Sequence, residues 1–426
     1  MDGSVHTFKA RLVAKGFTQT YRVDYEETFS PVADIRAIRI LIAIAAYYDY
    51  EIWQMDVKTA FLNGHLFEEV YMEQLEGLVN QKYPNRVCKL ERSIYGLKQA
   101  SRQWNKRFDD EIKKFGFTQN HDEPCVYLKA SGSNVTFLIL YVDDILIMGN
   151  HIPMLQDVKS YLGRCLPMKY LEEAAYILGI KIYRDRSRRL ISLCQSAYIE
   201  KILKRYRMEN SKHGSIPMQD KLRLSKSQGA STPAELKRMQ NVPYASAVGS
   251  IMYGVRYLTD ADDLKSQTGY VFVLNGGAID WKSAKQTIFA TSSAEAEYIA
   301  AYDASKEAVW VRKFISGLGV VPTIHYLREV IEYGDIKLEK VHTYDNLANP
   351  FTKALAFTKH SEHTRNIGML PAKKRVSSVY TTRTLHDDTR IEVVAYAQRG
   401  IRRAGTSSVF ADPVVVICQS GSGGHA

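Results

Sequence analysis

Cysteine is scarce in this chain: five residues in 426, namely Cys88, Cys125, Cys165, Cys194 and Cys418, widely scattered. No C-x-x-C pair occurs and no His lies at zinc-site spacing, so neither a zinc ribbon nor a disulfide scaffold is expected. The thiols read as reduced, mostly buried side chains of an intracellular protein. Long hydrophobic runs are missing too. The longest, ILIAIAAYY from Ile40, falls far short of the roughly 20 residues that cross a bilayer. The opening MDGSVHTFKARL lacks the apolar core of a signal peptide. Neither membrane insertion nor secretion is expected. Acidic charge is the third deficit: 46 Asp and Glu stand against 57 Lys and Arg, a net charge of +11. The resulting pI near 9.1 favours a polyanionic partner, nucleic acid first among them.

What the chain does have is apolar material, 45% of its residues, enough over 426 positions to predict two or more domains. After the basic stretch KARLVAKGF comes ADIRAIRILIAIAAYY. There Asp34 suits an N-cap, and Ile35, Ile38, Leu41 and Ala45 recur at helical spacing, which predicts a buried helix. YEIWQMDVKTAFLNG predicts a strand ending near Asp56 and a turn at Asn63-Gly64. RQWNKRFDDEIKKFGF predicts an amphipathic helix carrying Trp104 and Phe108. In YIEKILKRYRMEN, Ile199, Ile202 and Tyr206 share one face, with Lys201, Lys204, Arg205 and Arg207 around the rest. That pattern suits a solvated helix or one riding along a phosphate backbone. Residues from about 219 to 240 are polar and read as a linker, and a second α/β segment follows to about Leu370. The remainder, with 8 basic and 4 acidic residues and no clear periodicity, reads as a loosely ordered appendage.

One stretch carries chemistry. FLILYVDDILIMGN, from Phe137, sets Asp143 and Asp144 side by side between two strand-forming runs. Asp is common in hairpin turns for local hydrogen-bonding reasons. Alternatively, a divalent cation between the carboxylates offsets their repulsion, since hard oxygen donors suit Mg2+ or Mn2+. The second account needs a third oxygen ligand. Asp56, at the end of its strand, is the best candidate, although an ordinary strand-terminal Asp looks the same.

KARLVAKGFTQ, DYEETFSPVA, QMDVKTAFLNG, YGLKQASRQW, LYVDDILIMGN and LGIKIYRDR occur in this order. Together they resemble the reverse transcriptase of copia-type LTR retrotransposon polyproteins. The likeness resumes in VPYASAVGSIMYGVR, KSQTGYVFVLNGGAIDWKSAKQ, SSAEAEYIAA and VHTYDNLANPFTKAL, which are similar to the connection and ribonuclease H domain. The resemblance implies an α+β fold, a right-hand polymerase fragment of palm, fingers and thumb on an antiparallel sheet. Residues 1–218 would form the reverse transcriptase, with truncated fingers and only the start of the thumb, and 219–256 a linker or connection remnant. Residues 257–370 would form a truncated ribonuclease H-like α/β domain, and 371–426 an unrelated, poorly ordered tail.

The implied function is RNA-directed DNA polymerisation, nucleotidyl transfer from a dNTP to a primer 3'-hydroxyl assisted by two Mg2+ (or Mn2+) ions. Its catalytic and metal-holding residues fall on Asp56, Asp143 and Asp144. Phe61 matches the aromatic that lies beneath the deoxyribose and excludes a 2'-hydroxyl; a core Phe is the alternative. Gly96, Lys98 and Gln99 match the element lining the nascent base pair. Lys9, Arg11 and Lys15 match the basic fingers segment that meets the triphosphate, or are plain surface cations. The implied partners are an RNA template, a DNA primer, their hybrid and dNTPs, within a cytoplasmic retroelement particle or the nucleus.

Departures from the pattern are specific. The chain begins eight residues before KARLVAKGF, and Ser101 replaces a proline. Glu172 stands where the family has a glycine at a turn, unfavourable for backbone and charge alike. Of the ribonuclease H acids, Asp260 (or Asp262) and Glu297 match, but the last acidic position is Asn349, so that activity is expected to be lost. Two rival readings remain at this level: a catalytically dead remnant that only binds nucleic acid, and a structural or self-associating fragment.

Overall fold

The apolar run after Asp34 becomes helix α1, Ile35–Tyr47, in the computed structural model. Asp34 caps it, its carboxylate accepting the Arg36 backbone N–H at 2.8 Å. Ala37, Ile38 and every residue from Ile40 to Ala46 are buried, as a helix apolar on all sides must be. The structure describes residues 11–211, 229–254, 267–275, 277–286, 293–319, 336–340, 345–351, 355–371, 378–382, 391–398 and 414–418. Among the described residues no helix is long and apolar enough to cross a membrane. None of Cys88, Cys125, Cys165 and Cys194 is in a disulfide. The chain divides into two units, 1–37 with 51–174, and 38–50 with 175–426.

The first unit is built on a six-stranded sheet. Numbered in chain order, its strands are β1 (Glu51–Val57), β4 (Thr118–Gln119), β5 (Val126–Ser131), β6 (Asn134–Tyr141), β7 (Asp144–Gly149) and β8 (Met168–Glu173); β2 (Tyr71–Glu73) and β3 (Val87–Lys89) pair as a separate ribbon. The sheet order is β4-β5-β6-β7-β1-β8, antiparallel throughout. Side chains alternate across each strand, and here the alternation separates two jobs. Met55 and Val57 of β1, Leu138 and Leu140 of β6, and Ile145 and Ile147 of β7 lie on one face. They form a core with Trp104, Phe108 and Ile112 of helix α2 (Ala100–Lys114) and Leu155, Val158 and Leu162 of α3 (Ile152–Cys165). Asp56 and Asp144, one residue out of phase, are on the opposite face.

The second unit holds two five-stranded sheets. Strands β9 (Tyr176–Ile177), β10 (Ile180–Asp185) and β11 (Leu190–Cys194) are joined by β15 (Met369–Pro371) and β16 (Ser378–Thr382). The other sheet runs β13 (Gly277–Lys285), β12 (Gln267–Leu274), β17 (Ile391–Gln398), β18 (Val414–Cys418) and β14 (Ile336–Lys340). All its pairings are antiparallel. The segment expected to be a loose tail supplies three of these ten strands. IEVVAYAQ and VVVIC are rich in β-branched residues, and β17, paired on both edges, needs no polar-apolar alternation. The expected linker likewise contains helix α4, Pro233–Gln240, started by a capping box. Thr232 accepts the Glu235 N–H, Glu235 accepts the Thr232 N–H, and proline opens the first turn.

Within the first unit, Glu123 is 5% exposed. Burial pushes its carboxyl up to about 7; the backbone N–H of Asp34 opposes this, while the Asp34 charge adds to it. A carboxyl raised on folding penalises the folded state once it ionises. That penalty is full above about pH 7, shrinks as the pH falls, and is gone below the ordinary value of 4.5. Glu123→Gln is therefore expected to abolish the loss of stability between pH 4.5 and 7, measured by thermal unfolding across that window. Parallel pH curves for variant and wild type would contradict it.

Candidate active site

Register brings the three aspartates together. Asp56 of β1 is directly opposite Asp144 of β7, and the Val57 N–H donates to the Asp143 carbonyl at 2.9 Å. Directly opposed residues of an antiparallel pair share a face with Cβ atoms about 5 Å apart. The row continues outward: Tyr141 of β6 opposes Asp144, and Lys169 of β8 opposes Asp56. Gln54, buried and two residues before Asp56, donates its amide to the Asp144 carboxylate at 3.1 Å. The carboxyl of Asp144 is raised, first by burial and then by the charges of Asp143 and Asp56, with Gln54 pulling the other way. The charges of Asp143 and Asp56 thus both act on the Asp144 carboxyl.

Asp143 sits in a two-residue turn. Tyr141 pairs with Asp144, leaving only Val142 and Asp143 to reverse the chain, and such loops take a first central residue with positive φ, ordinarily glycine. Here that residue is Val142 at φ 57°, a β-branched side chain in the left-handed region, at a cost on the order of 1–3 kcal/mol. Both central carbonyls of the turn are held: Val57 donates to Asp143, and the indole N–H of Trp104 donates to Val142 at 2.6 Å.

Two of the candidate nucleotide residues, Phe61 and Arg11, meet at Tyr95. The Phe61 ring is half-buried, packs on the same core as Met55 and Val57, and meets Tyr95 at 5.0 Å between ring centroids. Exposed Arg11 lies 5.3 Å from the same Tyr95 ring. Gly96, at φ 93°, abuts the Ala14 carbonyl so closely that a Cβ would collide with it, so its close approach serves the 11–19 segment. Lys98 donates to the Gln19 carbonyl and the Tyr25 hydroxyl, both at 3.1 Å. Gln99 is fully buried; its side-chain carbonyl accepts the Gln19 amide at 3.0 Å and its own amide donates to the Asp24 carbonyl at 2.8 Å. Lys15 is exposed beside Gly16. Lys9, Asp260 and Asp262 lie outside the described residues.

Three aspartates on one hairpin and its neighbouring strand offer hard oxygen donors, which suit Mg2+ or Mn2+ chemically. Among the described residues, no three His, Cys, Asp or Glu side chains are gathered tightly enough to hold a metal by themselves. Mg2+ in phosphoryl transfer is commonly held by one or two carboxylates together with substrate phosphates, and the exposed side of this row leaves those positions open.

Residues 2–220 match the family model described as reverse transcriptase (RNA-dependent DNA polymerase). The chain belongs to the reverse transcriptase family. It is 36% identical to the retrovirus-related Pol polyprotein from transposon TNT 1-94 of Nicotiana tabacum, over 86% of this chain and 34% of that protein. It is 29% identical to the Pol polyprotein from transposon RE1 of Arabidopsis thaliana, over 86% of the chain and 31% of that polyprotein. The putative transposon Ty5-1 protein of Saccharomyces cerevisiae is 32% identical over 47% of the chain. These are copia-type retrotransposon proteins, and the chain spans about a third of the length of the first two.

The reverse transcriptase match extends past the first unit, which ends at 174. In the second unit, Glu297 is half-buried on helix α5 (Ser293–Gly317) and Asn349 is buried. Sequence reasoning does not single out Gln54, Tyr95 or Lys169. Gln54 was open to discovery, because period two places it on the face of Asp56; Lys169 needs the register of β8.

Strand β8 also explains Glu172. Trp53 pairs with Glu173 and Met55 with Tyr170, so Leu171 and Glu172 bulge against the single residue Gln54. Glu172 takes φ 62° there, a conformation glycine adopts freely. Glu172→Gly is expected to raise stability by about 1 kcal/mol, read as a higher urea midpoint at unchanged slope; an unchanged or lower midpoint would contradict the assignment.

Proposed function

We propose that this protein is an RNA-directed DNA polymerase that adds deoxynucleotides to a primer 3'-hydroxyl on an RNA template. The observation that carries the reading is the direct pairing of Asp56 with Asp144, with Asp143 in the adjoining turn and both charges acting on Asp144. Asp56, Asp143 and Asp144 would hold two Mg2+ or Mn2+ ions, whose chemistry when bound is to acidify the primer hydroxyl and neutralise the departing pyrophosphate. The chain's own residues orient the reactants. Gln54 fixes the Asp144 carboxylate, leaving its remaining lone pairs toward the open side. Phe61, braced by Tyr95, forms the floor that a 2'-hydroxyl would strike. Arg11 presents a guanidinium beside that floor for the triphosphate. The basic excess of the chain favours the template, primer and hybrid as partners, in an intracellular retroelement particle or the nucleus. Ribonuclease H activity is lost on this reading, because the neutral amide of Asn349 replaces a carboxylate.

A second reading, a catalytically dead remnant that still binds nucleic acid, is favoured by strained Glu172 near the row of carboxylates. Primer extension on an RNA template with labelled dNTPs, in Mg2+ and then Mn2+, separates the two. Incorporation is expected, and Asp143→Asn with Asp144→Asn should lower it at least about a thousandfold. Salt-dependent hybrid binding with no incorporation above that variant would select the remnant instead.

A further inference from the structure

The turn that carries Asp143 is strained at Val142, and strain of this kind persists only where neighbours over-determine it. Its partner on the β1 side is the Val57 N–H, which belongs to the sheet ladder. The other partner comes from a different element. Trp104, 1% exposed in the core beneath the sheet, aims its indole N–H at the Val142 carbonyl, 2.6 Å away. The ring is boxed in by Phe108, 5.8 Å between centroids, and by the aliphatic side chains of β1, β6 and β7. A donor-only group in an apolar core has one reason to face a backbone carbonyl of a tight turn, since an unpaired indole N–H there is costly. The arrangement has direction: Trp104 grips the turn from the helix-packed face, while Asp56 and Asp144 lie on the opposite face.

We propose that Trp104 is a positioning residue for the aspartates, locking Val142 in its left-handed conformation so that the Asp143 and Asp144 carboxylates stay aimed at the side shared with Asp56. This rests on the polymerase reading for its functional consequence, but not for its structural one. Without the indole donor, Val142 relaxes toward negative φ, the two-residue turn opens and Asp143 swings. Glycine at 142 would hold the same φ without strain, so the need for the indole would vanish.

The test is a double-mutant cycle on the full chain. Trp104→Phe, which keeps an aromatic ring and removes the donor, should lower kcat for primer extension about tenfold, the order a lost buried hydrogen bond supplies, with KM for dNTP within about twofold. Amide exchange at Val57 and across 141–145 should quicken in the same variant. In a Val142→Gly background, Trp104→Phe should cost less than about threefold. A loss of equal size in both backgrounds, or exchange unchanged by Trp104→Phe, would overturn the proposal. If Trp104→Phe does not fold, benzothienylalanine at position 104 keeps the bicyclic shape without the N–H and takes its place in the cycle. The exchange readout needs no turnover. A wild-type protein that extends no primer therefore sinks the polymerase reading, while the exchange result still decides the role of Trp104.

Discussion

The register between β1 and β7 is the constraint on which the rest of the first unit depends. It sets Asp56 opposite Asp144, so that the charges of Asp56 and Asp143 bear on a carboxyl that burial already raises. A slip of one residue would send every side chain of β1 to the other face, burying Asp56 among the helices and expelling Met55 and Val57. The hydrophobic face is thus what pays for the charged one. Gln54 and the raised carboxyl of Asp144 are local consequences of holding that arrangement away from bulk water.

Around the row of acids, the chain secures its less regular parts by backbone-level devices. The stretch from Ala14 to Asp24 is tied to Tyr95, Lys98 and Gln99 through carbonyls and amides, and exposed Arg11 and Lys15 are carried along with it. Residues that look like ligands of a nucleotide in sequence therefore divide. Arg11 and Phe61 meet at Tyr95 and retain exposed surface, whereas Gln99 is spent on holding the segment in place. A family motif can be kept for either reason, and only burial tells them apart.

Much of this was legible in sequence. Helix α1, the hairpin around Asp143 and Asp144, and helix α2 follow from apolar spacing and capping, which are local signals. Glu172 was legible because a glycine position implies a backbone conformation, and its φ of 62° bears that out. What stayed hidden depends on register or tertiary contact. Lys169 joins the row only through the register of β8 against β1, and Trp104 reads as an ordinary core residue until its N–H is seen to reach Val142. The capping box at Thr232 and Glu235 lay in plain view within a polar stretch. The strands after residue 378 carry no alternation, so periodicity missed them.

Polymerase chemistry at this site requires Asp56, Asp143 and Asp144 to act as one charged group. The most direct measurement is the NMR titration of the Asp144 side-chain carboxyl in the metal-free protein, with and without Asp56→Asn. Removing one neighbouring negative charge should lower the Asp144 midpoint from its raised position, part of which remains because burial is the larger cause. A midpoint within the ordinary aspartate range, or one that Asp56→Asn leaves unmoved, would mean that the three carboxylates do not share a site.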